Sequence, residues 1–271
     1  MGVNMIVYQL VNEYKKFDEV LSITLTGSGA SGKNDFFYDI DIEVILKAEI
    51  DANRRSKALK KFSDTIETIS GKYGEKDIFI LRNSTTEIDV SYYTLDTLKD
   101  NLFDVIDNCK ASVGYTTCLW KVVSGAFIAY DKENTFKNLQ KKYRVAYPQK
   151  LKLNIVDKNY YLLRDSISSY YNQIDKSIHT GDLISVSYKV CKFLDSYFDV
   201  VFAVNEMPHP GDKRLVSIIN SRCKKIPRFL IEGVNALIEN SCKCDKEILK
   251  NMDDIVDDLK EFLHEEGIRV S

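Results

Sequence analysis

Two aspartates separated by one residue open an apolar stretch near the start of the chain. They are Asp39 and Asp41, in the segment DIDIEVIL at residues 39–46. The alternation predicts a β-strand, in which residues i and i+2 point to the same face about 7 Å apart. Two such carboxylates repel each other, but together they supply the hard oxygen ligands that divalent metals prefer. Taken alone, such a pair is more often a solvated start of a strand.

A third acid, Asp89, lies between Ile88 and Val90 in another strand-like segment. A charged side chain between apolar neighbours is locally unfavourable, and breaks of this kind are expected at functional sites. Three carboxylates on adjacent strands predict a two-metal site for phosphoryl transfer. In such a site one metal binds the phosphates and the other activates an attacking hydroxyl.

A loop of small residues precedes the acidic strand and begins with Gly27 and Ser28. Its backbone N–H groups and the serine hydroxyl can bind nucleotide phosphates. Lys33 lies in the same loop, and its role at a phosphate is open. A Gly-Ser-Gly sequence alone is usually only a turn, so the interpretation depends on its order with the acids.

Strand-like and helix-like segments alternate in the first half of the chain, whereas the second half is almost entirely helix-like. The predicted strands are 22–26, 39–46, 77–82, 87–93 and a short edge strand at 128–131. The predicted helices include 54–70, 115–127, 134–144, 160–174, 183–201, 213–223, 228–240 and 245–264. The first proline is Pro148. We therefore predict an α+β protein, with a mixed-sheet domain over residues 1–147 and an all-helical bundle domain over residues 148–271.

Taken in order, these features resemble the nucleotidyltransferase superfamily of the polymerase-beta type. The matching features are Gly27-Ser28, ten intervening residues, Asp39-x-Asp41 and the later strand with Asp89 between apolar residues. The resemblance covers about residues 20–95. In character, the helical half is similar to the small-molecule branch, which includes aminoglycoside and lincosamide adenylyltransferases. Two positions depart from the family pattern, because Tyr38 replaces a common serine and Lys33 stands where many members carry arginine or another residue.

The resemblance implies transfer of a nucleoside monophosphate to a hydroxyl of a small-molecule acceptor, with release of pyrophosphate. AMP from ATP is the leading donor group, although another nucleoside triphosphate fits the motifs, and an antibiotic is one implied acceptor. In this interpretation Asp39 and Asp41 hold Mg²⁺ in a two-metal site. Asp89 serves as a third ligand or as the general base. All three acids of the family pattern are present.

A basic stretch in the second half offers a further contact for a triphosphate or an anionic acceptor. Residues 207–231 carry six basic side chains and one acid, and Lys213 is the best single candidate. A turn between helices with solvated lysines is the alternative. Two other functions stay open: a toxin–antitoxin-type nucleotidyltransferase that modifies protein or RNA, and a non-catalytic nucleotide-binding module.

The composition limits the class of protein. The chain has 271 residues, of which 44% are hydrophobic and 29% charged, with a net charge of −2. These values indicate a globular protein whose net charge gives no overall electrostatic attraction to nucleic acid. No apolar run reaches the roughly 18 residues of a membrane span, and the first residues lack the features of a signal peptide. Six cysteines without zinc-site spacing predict free thiols in the cytoplasm, and the oligomeric state is open.

Overall fold

The computed structural model describes residues 3–26, 39–71 and 73–270. The chain forms two compact units, residues 1–103 with 122–145 and residues 104–121 with 146–271. The predicted α+β class is confirmed, because the first unit contains a mixed sheet and the second is helical. The domain boundary at residue 147 stays a prediction. The predicted boundary places residues 104–121 in the sheet domain, whereas in the structure they pack with the helical unit.

The described strands form one six-stranded mixed sheet in the first unit. They are β1 (Val20–Thr26), β2 (Asp39–Leu46), β3 (Glu67–Ser70), β4 (Glu75–Ile80), β5 (Glu87–Thr94) and β6 (Phe127–Asp131). Their order across the sheet is β3-β4-β5-β2-β1-β6. The β2–β5 pair is parallel and the other neighbouring pairs are antiparallel. The strands predicted from the sequence are present within a few residues, and β3 was not predicted.

Helices complete both units. In the first half of the chain they are α1 (Val3–Tyr14), α2 (Ala52–Leu59), α3 (Leu95–Leu102), α4 (Cys118–Gly125) and α5 (Thr135–Lys142). In the second half they are α6 (Gln149–Leu163), α7 (Tyr170–Thr180), α8 (Leu183–Val204), α9 (Leu215–Arg222), α10 (Leu230–Asn240) and α11 (Glu247–Glu265). In the described part of the chain, no helix has both the length and the apolar character needed to cross a membrane.

The two faces of the sheet differ because the first six residues of β2 alternate between acidic and aliphatic residues. Ile40, Ile42 and Val44 are buried in one apolar cluster. That cluster also contains Leu10, Val11 and Tyr14 of α1 and Leu59 of α2. Because side chains alternate along a strand, the acidic positions of β2 belong to the opposite face. The hydrophobic effect thus fixes the core face and leaves the acids on the other.

A buried ion pair joins α2 to β4 on the apolar face. Arg55 and Asp77 are 2% and 1% exposed, and Arg55 Nε lies 2.9 Å from Asp77 Oδ2. Arg55 Nη1 also donates to the carbonyl oxygen of Ile50, and the Tyr92 hydroxyl donates to Asp77 at 2.7 Å. The charges are therefore paired and hydrogen-bonded, as burial requires. Since Asp77 faces the core, the neighbouring β4 residue, Lys76, faces the acidic side of the sheet.

The prediction of one helix over residues 54–70 is wrong. Helix α2 ends at Leu59, and residues 67–70 form the edge strand β3, which pairs with β4. The apolar spacing through this segment fits a helical period. The β-branched Thr68 nevertheless joins the sheet, where its hydroxyl donates to Asp77 at 2.7 Å. Pairing with a distant strand overrides the local periodicity.

The predicted helix over residues 160–174 is also wrong, because α6 ends at Leu163 and α7 begins at Tyr170. The Ser169 side chain accepts a hydrogen bond from Asn172 N at 3.2 Å. Serine in this position caps a helix N-terminus, and it begins a new helix here.

In the second unit, buried polar groups hold the loop before α4 against α6 and α8. Asn159 Oδ1 accepts from Gly114 N at 2.9 Å, and Asp199 accepts from the hydroxyl of Thr116 at 2.7 Å and from its backbone N–H. Gly114 has φ +66, and a Cβ there would lie 3.0 Å from Asp195 Cβ. The loop therefore depends on a glycine for its close approach to α8.

Asp199 gives a prediction about pH. Its side chain is 1% exposed, and burial raises its pKa from 3.8 to about 7, although hydrogen bonds from Thr116 oppose the change. The folded protein therefore binds this proton more tightly than the unfolded chain does. The resulting stability is fully present below about pH 4 and is lost as the pH rises through about 7. We expect urea denaturation to show that Asp199→Asn loses less stability than wild type over this range, by up to about 4 kcal/mol. A wild-type stability that falls no faster than the variant's would contradict this expectation.

Candidate active site

Two acid-x-acid pairs lie side by side on the face of the sheet opposite the core. In the parallel pairing of β2 with β5, Asp41 is the partner of Asp89 and Asp39 is the partner of Glu87. Neighbouring strands lie about 4.8 Å apart, and partners in register point to the same face. We call the surface formed by these four strand positions, together with Glu43 and Lys76, the acid face.

Asp41 and Asp89 form the middle of the acid face. Asp41 is half-buried, and the Asp89 side chain is 21% exposed. The ammonium of Lys76 lies 3.0 Å from Asp89 Oδ2. Lys76 is the β4 partner of Ser91, so it is diagonal to Asp89, a distance that a long side chain can span. The acid face therefore combines acceptor oxygens with a nearby cation.

Glu43 lies two residues beyond Asp41 and is only 8% exposed. One of its oxygens, Oε1, accepts from Thr26 Oγ1 at 3.2 Å, whereas the buried Oε2 has no hydrogen-bond partner among the described residues. Burial raises the Glu43 pKa to about 7 and repulsion by Asp41 adds to this, whereas the hydrogen bond from Thr26 and the charge of Lys76 oppose it. Since Thr26 is the last residue of β1, Glu43 holds the end of the strand that precedes Gly27.

The structure brings together some of the residues predicted from the sequence. Asp41 and Asp89 are in register, and the strand position of Asp39 is beside that of Glu87. Three predicted phosphate contacts, Gly27, Ser28 and Lys33, lie outside the described residues. The Lys213 side chain is exposed in the loop before α9, in the second unit, and its contact with nucleotide stays a prediction.

Three residues of the acid face were missed in the sequence. The alternation that identified Asp39 and Asp41 continues to Glu43, and Glu87 precedes Asp89 by two residues. Either spacing could have identified these acids, because residues two apart in a strand lie on the same face of the sheet. Lys76 gave no comparable signal, since its place beside Asp89 depends on the pairing of β4 with β5.

Carboxylate oxygens in this arrangement suit Mg²⁺, which takes oxygen ligands and is typically held by one or two carboxylates together with substrate phosphates. Asp41 and Asp89 supply two such groups in register. Among the side chains that the structure describes, no three His, Cys, Asp or Glu residues are placed to hold a metal ion. Asp39 is outside that set, so a complete site would need its carboxylate or a phosphate of the substrate.

A cavity of about 470 Å³ lies in the second unit. Its walls are mainly apolar side chains of α8, α9 and α10, and its polar lining residues include Tyr115, Asp195, Asp212 and Arg214. The Tyr115 hydroxyl donates to Asp195 Oδ1 at 2.7 Å. An apolar cavity of this size with a few polar groups is typical of a small-molecule site. In the first unit, a cavity of about 460 Å³ lies between α3 and α5 and is not lined by the acid face.

Comparison with known proteins gives one match to a family and several to solved structures. Residues 115–214 match a family described as a domain of unknown function, DUF4037. This match covers less than half of the chain and names no activity. No curated protein matches the chain.

The chain is similar to a nucleotidyltransferase-like protein from Exiguobacterium sibiricum. The two share 12% identity with a TM-score of 0.43, over 97% of this chain and 79% of the other. It is also similar to a spectinomycin adenyltransferase from Enterococcus faecialis, solved with ATP and spectinomycin, at 11% identity and a TM-score of 0.29. That similarity covers 91% of this chain and 99% of the other.

Proposed function

We propose that this protein is a metal-dependent nucleotidyltransferase that moves a nucleoside monophosphate, AMP from ATP in the first instance, onto a hydroxyl of a small molecule. The observation that carries the proposal is the register of Asp41 with Asp89 on parallel strands, beside the strand position of Asp39. Acids clustered on one face of a sheet repel each other and lower the stability of the fold, so their presence there favours a role in binding or catalysis.

Binding of the donor would use the carboxylates of the acid face together with the segment that follows β1. A bound Mg²⁺ would neutralise phosphate charge and orient the donor, and Asp39 and Asp41 are the residues that would hold it. Thr26, which pairs with Asp41, ends β1 directly before Gly27. We therefore assign the triphosphate to backbone N–H groups of the segment that begins at Gly27 and includes Ser28.

In the proposed reaction, the acceptor oxygen attacks the α-phosphorus of the donor. A bond forms between that oxygen and phosphorus, the bond from phosphorus to the bridging α,β-oxygen breaks, and pyrophosphate leaves with the electron pair. Asp89 accepts the proton of the acceptor hydroxyl. A carboxylate suits this role because aspartate is ordinarily ionised at neutral pH. Positioning and charge neutralisation supply most of the rate.

A small molecule is the acceptor class that the chain favours. The cavity of about 470 Å³ in the second unit has the size of a ligand site. The net charge of −2 provides no general attraction for nucleic acid. The resemblance to antibiotic adenylyltransferases makes aminoglycosides, spectinomycin and lincosamides the first acceptors to test.

The proposal is tested by incubating the full chain with Mg²⁺ and each nucleoside triphosphate labelled at the α-phosphate. An acceptor panel of sugars, aminoglycosides, spectinomycin and lincosamides is added. We expect a labelled product and an equal amount of pyrophosphate, both abolished by a chelator. Labelled product that forms equally well with the chelator present would reject a metal-dependent reaction.

A substitution at Asp89 separates a general base from a metal ligand. For Asp89→Asn we expect transfer to fall at least about 100-fold, the scale of general-base catalysis, while Mg²⁺-dependent nucleotide affinity stays near that of wild type. Single-turnover transfer and calorimetric titration on the same variant measure the two effects. Asp64→Asn is the control, because Asp64 is exposed and paired with Arg82 in the same unit. Loss of nucleotide affinity with activity would make Asp89 mainly a ligand, and undiminished transfer would remove it from the site.

A further inference from the structure

Lys76 places a positive charge among the carboxylates of the acid face. Its ammonium lies 3.0 Å from Asp89 Oδ2, and it is close enough to Glu43 to lower the pKa of that group. The Lys76 side chain is 35% exposed. It is therefore partly open to solvent, and its nitrogen can exchange one ion-pair partner for another.

The backbone position of Lys76 is fixed by its neighbour. Asp77 is bound to Arg55 in the core, so β4 cannot rotate about its axis without breaking a buried ion pair. The side chain of Lys76 extends from this fixed backbone as a flexible stem of four carbons. A rigid strand thus delivers a flexible cation to the acid face.

The pairing of Lys76 with Asp89 conflicts with the role proposed for Asp89. The ammonium, 3.0 Å from Asp89 Oδ2, occupies an acceptor oxygen to which the proton of the acceptor hydroxyl would move. Its charge also repels a metal ion that Asp39 and Asp41 would hold beside Asp89. A triphosphate, in contrast, brings several negative charges to which an ammonium can transfer.

We propose that Lys76 is a resident cation of the acid face that neutralises Asp89 before the donor binds and then moves onto the donor phosphates, freeing Asp89 to accept a proton. This assignment rests on the proposed function for its second step. Its first step, in which Lys76 rests on Asp89 and repels a metal ion that Asp39 and Asp41 would hold, concerns the nucleotide-free protein alone.

The test measures two affinities on the full chain. The first is that of Mn²⁺ for the nucleotide-free protein, followed by the paramagnetic resonance of free Mn²⁺. The second is that of an ATP analogue with a methylene group between the α- and β-phosphates, in the presence of Mg²⁺. For Lys76→Met we expect Mn²⁺ to bind at least about tenfold more tightly and the analogue at least about tenfold more weakly, the scale of one nearby unit charge.

Two variants serve as controls. Lys76→Arg keeps the charge and is expected to bind the analogue as wild type does. Lys16→Met removes a lysine that is also ion-paired, to Glu13 at 2.7 Å, on the surface of the same unit. We expect no change in either affinity for Lys16→Met.

Opposite changes in the two affinities of Lys76→Met support the proposal, because damage to the fold would weaken both. Unchanged affinities would make the pair with Asp89 an ordinary surface ion pair and overturn the proposal. Weakening of both affinities, or no Mn²⁺ binding by either wild type or Lys76→Met, would also overturn it. If the opposite changes occur but no acceptor is labelled, the move of Lys76 from Asp89 to the donor phosphates stands and the proposed transfer reaction is rejected.

Discussion

Asp41→Asn is expected to lower nucleotidyl transfer by at least about 100-fold while the chain stays folded. The substitution keeps the shape of the side chain but removes the charge needed to hold a metal. It also removes repulsion against the neighbouring acids, since Asp41 raises the pKa of Glu43 and is in register with Asp89. Thermal stability should therefore be unchanged or slightly higher. Steady-state transfer and a melting curve on the same preparation check both parts.

The control for this variant is Asp96→Asn. Asp96 is an exposed acid in the first turn of α3, 3.8 Å from Lys99, and it is not part of the acid face. Its removal is expected to leave transfer near the wild-type rate. Near-normal transfer by Asp41→Asn in the presence of Mg²⁺ would exclude Asp41 from the reaction.

Arg55→Met is expected to destabilise the protein by about 3–5 kcal/mol, because it leaves the carboxylate of Asp77 buried without its cation. Asp77 is 1% exposed and, among the described residues, would keep the hydroxyl donors of Thr68 and Tyr92 alone. The loss should reach the acid face as well, since Asp77 holds the strand that carries Lys76. Urea denaturation followed by circular dichroism measures the change.

The adjacent arginine provides a matched control. Arg54 is paired with Glu19 at 2.6 Å, but its side chain is 51% exposed, so Arg54→Met should cost at most about 1 kcal/mol. Adding Asp77→Asn to Arg55→Met should restore about 1 kcal/mol or more, because the unpaired buried charge disappears. Equal losses for Arg54→Met and Arg55→Met would show that burial does not determine the contribution of this pair.

The strands of the acid face could be predicted because their patterns are local. The first six residues of DIDIEVIL and of EIDVSYY alternate with a period of two, and the same alternation indicates which residues face the core. The parallel register of β2 with β5 could not be predicted, since it joins segments almost fifty residues apart through α2 and the β3–β4 hairpin. That register brings Asp41 beside Asp89 and makes Glu87 the neighbour of Asp39.

The error over residues 54–70 has the same origin. Residues 67–70 follow a helical apolar spacing, but the pairing of Thr68 with Asp77 on β4 makes them a strand. Asp77 was read as the start of an ordinary strand, because its partner Arg55 lies more than twenty residues away. Lys76 was missed for this reason too. Non-local pairing decides these positions, and a single sequence carries no direct record of it.

Metal-dependent binding of a nucleotide is the measurement that tests the acid face most directly, because it needs no knowledge of the acceptor. The ATP analogue with a methylene between its α- and β-phosphates is titrated into wild type, Asp41→Asn and Asp96→Asn, with Mg²⁺ and with a chelator. We predict that wild type and Asp96→Asn bind the analogue only with Mg²⁺, and that Asp41→Asn loses this binding. Equal affinity of wild type with and without Mg²⁺, or full affinity of Asp41→Asn, would contradict a metal–nucleotide site on the acid face.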